Sequence, residues 1–233
     1  MSLASFPDGF RALVIGASGA IGGGLVRQLA ADPACATVLG LHRQSDPPIH
    51  FDDEAGIVHA AAVLATQAPF HLVVNAAGLL HAPGFMPEKK LGDLHLAQMR
   101  ATFQANTFGP ALLLRHFSPL LCRQRSVLAL VSARVGSIED NRLGGWYSYR
   151  ASKAALNMLV KTAAIELRRS QPQAVLVALH PGTVRSALSK PFRGDAIGRP
   201  ADQAAAEMLA VIDSLTPADS GSFVAYDGQR LPW

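Results

Sequence analysis

Short aliphatic runs alternate with longer helix-patterned stretches along the whole chain, and each run ends on glycine, amide, hydroxyl or basic residues. The runs are Ala12-Leu13-Val14-Ile15, Thr37 to Leu41, Phe70 to Val74, Ser126 to Val131, Ala174 to Leu179 and Ser222 to Ala225, with a further short strand expected at Ile49-His50-Phe51. Between them, helices are expected over Ile21 to Ala31, Asp53 to Thr66, Leu94 to Cys122, Trp146 to Ser170 and Ala201 to Ser214. Such alternation with short connections predicts parallel strands joined by right-handed crossovers. The fold expected is therefore α/β, a single-domain Rossmann-type doubly wound parallel sheet with helices on both faces, spanning residues 1–233. In such sheets the ligand crevice lies beyond the carboxyl ends of the strands. The residues there are Gly16 to Gly22, His42-Arg43, Asn75 to Gly78, Ser132-Ala133 and His180-Pro181-Gly182.

Composition narrows the classes of function. Hydrophobic residues make up 49% of the chain but aromatics only 6%, as a sheet buried under Ala- and Leu-rich helices requires. No apolar run reaches the ~18 residues of a membrane span, and Met1 to Asp8 lacks a basic segment followed by an apolar one, so a cytoplasmic protein without a membrane partner is expected. Cys35 and Cys122 form neither a metal-spaced cluster nor a disulfide framework. The net charge of +4 is scattered, with short pairs such as Arg123/Arg125 and Arg168/Arg169 and no basic run interleaved with aromatics. That pattern argues against nucleic acid and for a small ligand bearing phosphate.

Gly16, Gly19 and Gly22 stand between the first strand and the first helix, with Ser18, Ala20 and Ile21 among them. Missing side chains there let backbone N–H groups approach a pyrophosphate at a helix N-terminus. The second strand ends on His42 and Arg43, where an NAD-specific site usually offers a carboxylate. A guanidinium instead forms a fork onto a 2′-phosphate, so NADP(H) is favoured over NAD(H).

Tyr149 and Lys153 lie four residues apart at the start of a helix, on one face and one turn apart. A unit charge ~4 Å away at an effective dielectric of ~20 is worth ~4 kcal/mol, enough to bring a phenol toward neutral pH before desolvation pushes it back. The pair is a candidate general acid/base.

Taken in order, the glycine turn, Asn75-Ala76-Ala77-Gly78, Asn106 and Tyr149-x-x-x-Lys153 make the chain resemble the short-chain dehydrogenase/reductase family over nearly its whole length. Within it, Val135 to Ile138 and Gly144 to Asn157 look closest to the C-factor-like proteins and sniffer-type carbonyl reductases. The resemblance implies that Tyr149 exchanges a proton with the substrate oxygen while a nicotinamide exchanges hydride with its carbon. It implies that Lys153 depresses the Tyr149 pKa and holds the nicotinamide ribose, and that Asn106 helps hold a water linking Lys153 to solvent. Asn75, Ala76, Ala77 and Gly78 would line the cofactor cleft. Pro181, Gly182, Thr183 and Val184 would meet the carboxamide, with Ser186 where the family often has Thr, and Asp52 is the nearest acid for adenine, although one alignment puts His50 there.

The family's substrate-binding Ser falls, counted back from Gly136, on Ala133. Either Ser132 is re-aimed into the site, or Ser137 reaches in from the loop, or Tyr149 works without a hydroxyl partner. The reading is an NADPH-dependent oxidoreductase interconverting a small carbonyl compound and its alcohol. An NAD(P)-binding signalling or regulatory protein of the C-factor type is the alternative, and a non-redox reaction such as epimerisation is a third. A homodimer or homotetramer is implied by the family, through helices whose apolar faces could equally be core.

Overall fold

The computed structural model describes residues 2–233 and places six parallel strands in one sheet. In chain order these are β1 (Phe10–Ile15), β2 (Cys35–Leu41), β3 (Leu72–Asn75), β4 (Ser126–Val131), β5 (Ala174–His180) and β6 (Ser222–Ala225). Their spatial order is β2-β1-β3-β4-β5-β6, so the winding reverses between β1 and β3. The crevice at that reversal is where an open α/β sheet binds its ligand.

Strand alternation sorts the core into two layers. Leu13, Ile15, Val73, Leu128, Leu130 and Leu176 pack under α2 (Glu54–Ala65), α4 (Gly109–Phe117) and α5 (Tyr147–Ser170), against Ile57, Leu113, Phe117, Leu156 and Val160. Val14, Leu72, Val74, Val127, Val175 and Val177 face the opposite way, onto α1 (Ala20–Ala30) and α7 (Ala201–Ser214) through Leu25, Leu29, Met208, Leu209 and Ile212. The remaining helices are α3 (Leu96–Phe103) and the short α6 (Gly194–Ile197). No helix among the described residues is long and apolar enough to cross a membrane.

Two local expectations are corrected. Ile49-His50-Phe51 forms no strand: Pro47 and Pro48 carry no N–H to pair with β2, and Ile49 closes a turn by donating to the His42 carbonyl at 3.1 Å. The helix expected over Leu94 to Cys122 is divided. Between α3 and α4, residues Gln104–Phe108 wind as a π-helical turn, and Ser118–Leu120 form a final 3₁₀ turn. The wider turn accommodates the buried Asn106 amide, which faces backbone groups outside its own helix.

Candidate active site

A cleft of about 690 Å³ opens at the carboxyl ends of the strands, within the size range of small-molecule sites. Its near wall is the glycine turn: Gly16, Ser18, Gly19, Ala20 and Ile21 all line it. Gly16 has φ +84, and a Cβ there would come within 2.7 Å of the Ala77 nitrogen. A Cβ on Gly22 would collide with the Gly16 carbonyl oxygen, so Gly22 lies behind the turn and lets α1 start close beneath it. Gly19 caps α1 without a side-chain bond, and the first turn carries no acid. The helix N-terminus therefore keeps its partial positive charge facing the cleft.

His42 and Arg43 line the same cleft at the end of β2. The His42 Nδ1 accepts from the Gln44 backbone N–H at 3.1 Å, which puts the ring proton on Nε2. Ala76, Ala77, Gly78, Leu79, His81 and the segment Ser186–Leu188 continue the wall, whose described lining includes no Asp or Glu. These residues suit a dinucleotide whose phosphates need amides and cations and whose approach a carboxylate would oppose.

Tyr149 and Lys153 project from the first two turns of α5. The Lys153 Nζ stands 5.9 Å from the Tyr149 ring centroid and donates to the Val131 carbonyl at 2.9 Å. It also lies 3.5 Å from where a Cβ on Gly78 would sit, which places the pair beside the cleft wall. Burial governs both groups: it pushes the Tyr149 phenol up to about 12 and the Lys153 ammonium down to about 8. The depression of the phenol expected from the Tyr149–Lys153 spacing is outweighed, and Tyr149 is a protonated acid across the neutral range.

Asn106, fully buried, grips the chain after β3 in both directions. Its Oδ1 accepts from the Leu79 N–H at 2.8 Å, and its Nδ2 donates to the Leu79 carbonyl at 2.7 Å and to the Ser152 hydroxyl at 3.1 Å. The π-helical turn thus fixes the loop that carries Gly78, and a Cβ on Gly78 would stand 3.2 Å from Asn106 Oδ1.

The hydroxyls near Ala133 are engaged elsewhere. Ser132 donates to Asn157 Oδ1 at 2.7 Å, and Ser137 donates to the Trp233 carbonyl at 3.1 Å while accepting from the Asp140 N–H. Asn75 is buried and turns its Oδ1 onto the Ala77 N–H at 3.1 Å, shaping the loop behind the cleft wall. Asp52 is exposed in the turn before α2, while Phe51 and Ile49 face the cleft. Pro181, Gly182, Thr183 and Val184 run behind Ser186–Leu188, with Gly182 at φ +68 and Thr183 paired to Arg199. Gly22, Asp52, Asn75 and Pro181 to Val184 are therefore supports or neighbours of the cleft, and the other ten cofactor residues expected from the sequence line it.

Sequence reasoning missed Ile49, Phe51, Leu79, His81, Ala105, Ala187 and Leu188. Leu79 and His81 directly follow the Asn75-to-Gly78 run, so their position at a strand end was a usable signal. Ile49 and Phe51 carried none, being apolar residues in an expected strand. His81 points its Nε2 at the Ala187 and Leu188 carbonyls, 3.3 and 3.2 Å away, and its ring meets Phe192 edge-on.

A family model described as enoyl-(acyl carrier protein) reductase matches residues 52–226. The chain belongs to the short-chain dehydrogenase/reductase family, a family of NAD(P)-dependent oxidoreductases. It is 34% identical to 1-hydroxy-2-glutathionyl-2-methyl-3-butene dehydrogenase of Rhodococcus sp. (strain AD45), over 81% of this chain and 80% of that one. To C-signal of Myxococcus xanthus it is 42% identical, over 76% of this chain and all of that one. Among solved structures, the NADPH-bound carbonyl reductase from chicken fatty liver shares 26% identity with a TM-score of 0.83, covering 98% of this chain and 96% of that one. Carbonyl reductase Sniffer of D. melanogaster, at 22% identity and a TM-score of 0.84 over 98% of this chain and 100% of that one, supports the fold.

Proposed function

We propose that this protein is an NADPH-dependent reductase of small carbonyl compounds, with cofactor and substrate sites in one domain covering residues 1–233. The observation that carries this reading is a half-buried phenol, its pKa pushed up to about 12, beside a buried ammonium that itself stands next to Gly78 of a carboxylate-free cleft. NADPH bound there would supply the hydride. Tyr149 donates the proton to the carbonyl oxygen as charge builds on it. Lys153 faces the Tyr149 ring and the cleft wall at Gly78, where its cation favours the phenolate left behind. The α1 N-terminus and the Gly16–Gly22 turn hold the pyrophosphate, and Arg43 with the His42 Nε2–H takes the 2′-phosphate, which favours NADP(H) over NAD(H). Asn106 keeps Gly78 and Leu79 in place.

Ala133 supplies no hydroxyl to the carbonyl oxygen, and Ser132 and Ser137 are bonded to Asn157 and Trp233. Tyr149 then polarises the carbonyl alone, at a cost of roughly 3 kcal/mol relative to a site with a second donor. That same gap favours a second reading, a dinucleotide-binding signalling protein with weak turnover, which the similarity to C-signal supports. Exposed Leu96, Phe108, Met158 and Ile165 on α3, the π-helical turn and α5 support self-association as a homodimer or homotetramer.

A panel of aldehydes, ketones and quinones assayed with NADPH, beside Tyr149→Phe, separates the readings. Tyr149-dependent oxidation of NADPH is the expected result. Tight NADPH binding with no Tyr149-dependent turnover on any member of the panel would leave the signalling reading in its place.

A further inference from the structure

Glu88 is a carboxylate with 2% of its surface exposed, on the segment between β3 and α3, and sequence reasoning gave it no role. Among the described residues it meets no lysine or arginine within ion-pairing distance. Instead it serves α5 from 60 residues away. One carboxylate oxygen accepts from the Ser148 N–H at 3.2 Å, the other accepts from the Ser148 hydroxyl, and the Glu88 carbonyl accepts from the Trp146 N–H at 2.5 Å. Ser148 adjoins Tyr149 and is itself 2% exposed.

The start of α5 needs such a partner. Its N-cap is Trp146, whose side chain has no oxygen to offer the first-turn amides and makes no cap bond. Gly144, Gly145 and Trp146 all lie in the left-handed region, at φ 62, 64 and 53. For Trp146 that conformation is strained and persists only where neighbours enforce it. Glu88 grips both sides of the strained residue, through its carbonyl before the helix and its carboxylate within the first turn. A negative group at a helix N-terminus is also favoured by the helix dipole.

We propose that Glu88 is the positioning residue for Tyr149, capping α5 from outside the helix and setting where the phenol stands relative to Lys153. This rests on the reading of Tyr149 as the proton donor. A Glu88 side chain shortened or removed frees Ser148, lets the first turn of α5 fray, and moves the phenol from its place beside the ammonium. The charged groups near this corner include Lys153 and Arg150 from α5, with Arg150 bound to the Gly144, Gly145 and Val135 carbonyls and facing Asp140, and Lys89 from the Glu88 segment, whose N–H donates to Asp93. None of them bonds the Glu88 carboxylate.

The test follows the Tyr149 phenol directly, by NMR titration of tyrosine labelled at the ring carbon bearing oxygen, assigned with Tyr149→Phe. Glu88→Ala and Glu88→Asp should each move the Tyr149 titration to lower pH by about half a unit or more, because a frayed first turn exposes the phenol that burial holds up at about 12. Both should lower kcat roughly ten- to a hundredfold while NADPH affinity stays within twofold of wild type. Glu88→Gln keeps the length, accepts from the Ser148 N–H through its amide oxygen and donates from its NH2 to the Ser148 hydroxyl, which reverses the hydroxyl's role; it should stay nearer wild type than either shortened variant in both readouts. Should Glu88→Ala fail to fold, Glu88→Asp decides. An unmoved Tyr149 titration in the shortened variants, or a Gln variant as impaired as they are, overturns the proposal. Because the titration needs no turnover, a wild type inactive on every carbonyl would sink the reductase reading while leaving the Glu88 result readable.

Discussion

The Ser132 hydroxyl donates to Asn157 Oδ1 at 2.7 Å, both residues being buried, so the hydroxyl nearest Ala133 is committed to the α5 side of the sheet. The Asn157 Nδ2 has no partner of its own. Ser132→Ala should therefore cost about 1 kcal/mol or more of stability, by leaving a buried amide still less satisfied, and leave kcat within twofold. Ala133→Ser should instead raise kcat tenfold or more by restoring a donor for the carbonyl oxygen. Steady-state kinetics and urea unfolding of the two variants check both halves. A Ser132→Ala variant that loses activity and keeps its stability would reverse the assignment.

On the proposed reading, Arg43 sets cofactor choice. Replacing it by Ala should weaken NADPH binding roughly ten- to a hundredfold, the worth of a charge-assisted fork onto phosphate, and leave NADH binding unchanged. Fluorescence titration with the two cofactors reads this. Equal losses for both would place Arg43 outside the 2′-phosphate pocket.

On the proposed reading, Lys153 governs the pH dependence of reduction. Burial holds its pKa down at about 8 and holds Tyr149 up at about 12, so between pH 6 and 10 only Lys153 of the pair changes charge. Below about 8 the ammonium is present; above it the charge favouring the phenolate is lost. The rate of carbonyl reduction should accordingly fall as pH rises through about 8. Lys153→Arg, whose guanidinium stays charged, should be slow but free of that alkaline limb. Persistence of the limb in Lys153→Arg would assign it to another group.

His180, at the end of β5, governs part of the acid limit of stability. Burial first, then the Arg134 and Arg199 guanidinium groups, hold its pKa down at about 4. The folded state keeps this imidazole neutral, so its contribution is complete above pH 6.5 and is lost as pH falls from 6.5 toward 4. Integrated over that window the loss is about 3 kcal/mol. Replacing His180 with Gln should flatten the decline measured by urea unfolding between pH 7 and 4. A decline as steep as in the wild type would show that other groups carry it.

How far the sequence could be read depended on whether a feature was local. β4, α7 and β6 fall within the spans that periodicity assigns, Ser126 to Val131, Ala201 to Ser214 and Ser222 to Ala225. The glycine turn was equally legible, since Gly16 and Gly22 are fixed by close backbone approach within one βα unit. Asn106 was visible as a polar residue in an apolar helix, but its grip on Leu79 spans 27 residues and could not be seen. Glu88 and Ser148 lie 60 apart, and the destination of Ser132 depended on which side of β4 the serine faces at the strand end. The balance between burial and the Lys153 charge is likewise a property of packing, beyond what the Tyr149–Lys153 spacing encodes.

Because residues 49–51 form a turn in place of an additional strand, β2 is the margin of the sheet and the cleft beside His42 and Arg43 is lined by Ile49 and Phe51. Length and composition in the stretch from Arg43 to Asp52 are thereby uncoupled from strand pairing. On the proposed reading, insertions or exchanges at residues 43–48 should retune which nucleotide is accepted while β1, β3 and the proton-transfer corner stay intact. The far end of that stretch is anchored, since the Gln104 amide donates to the Phe51 carbonyl and Ile49 joins the core, so the freely variable part of this border is residues 43–48.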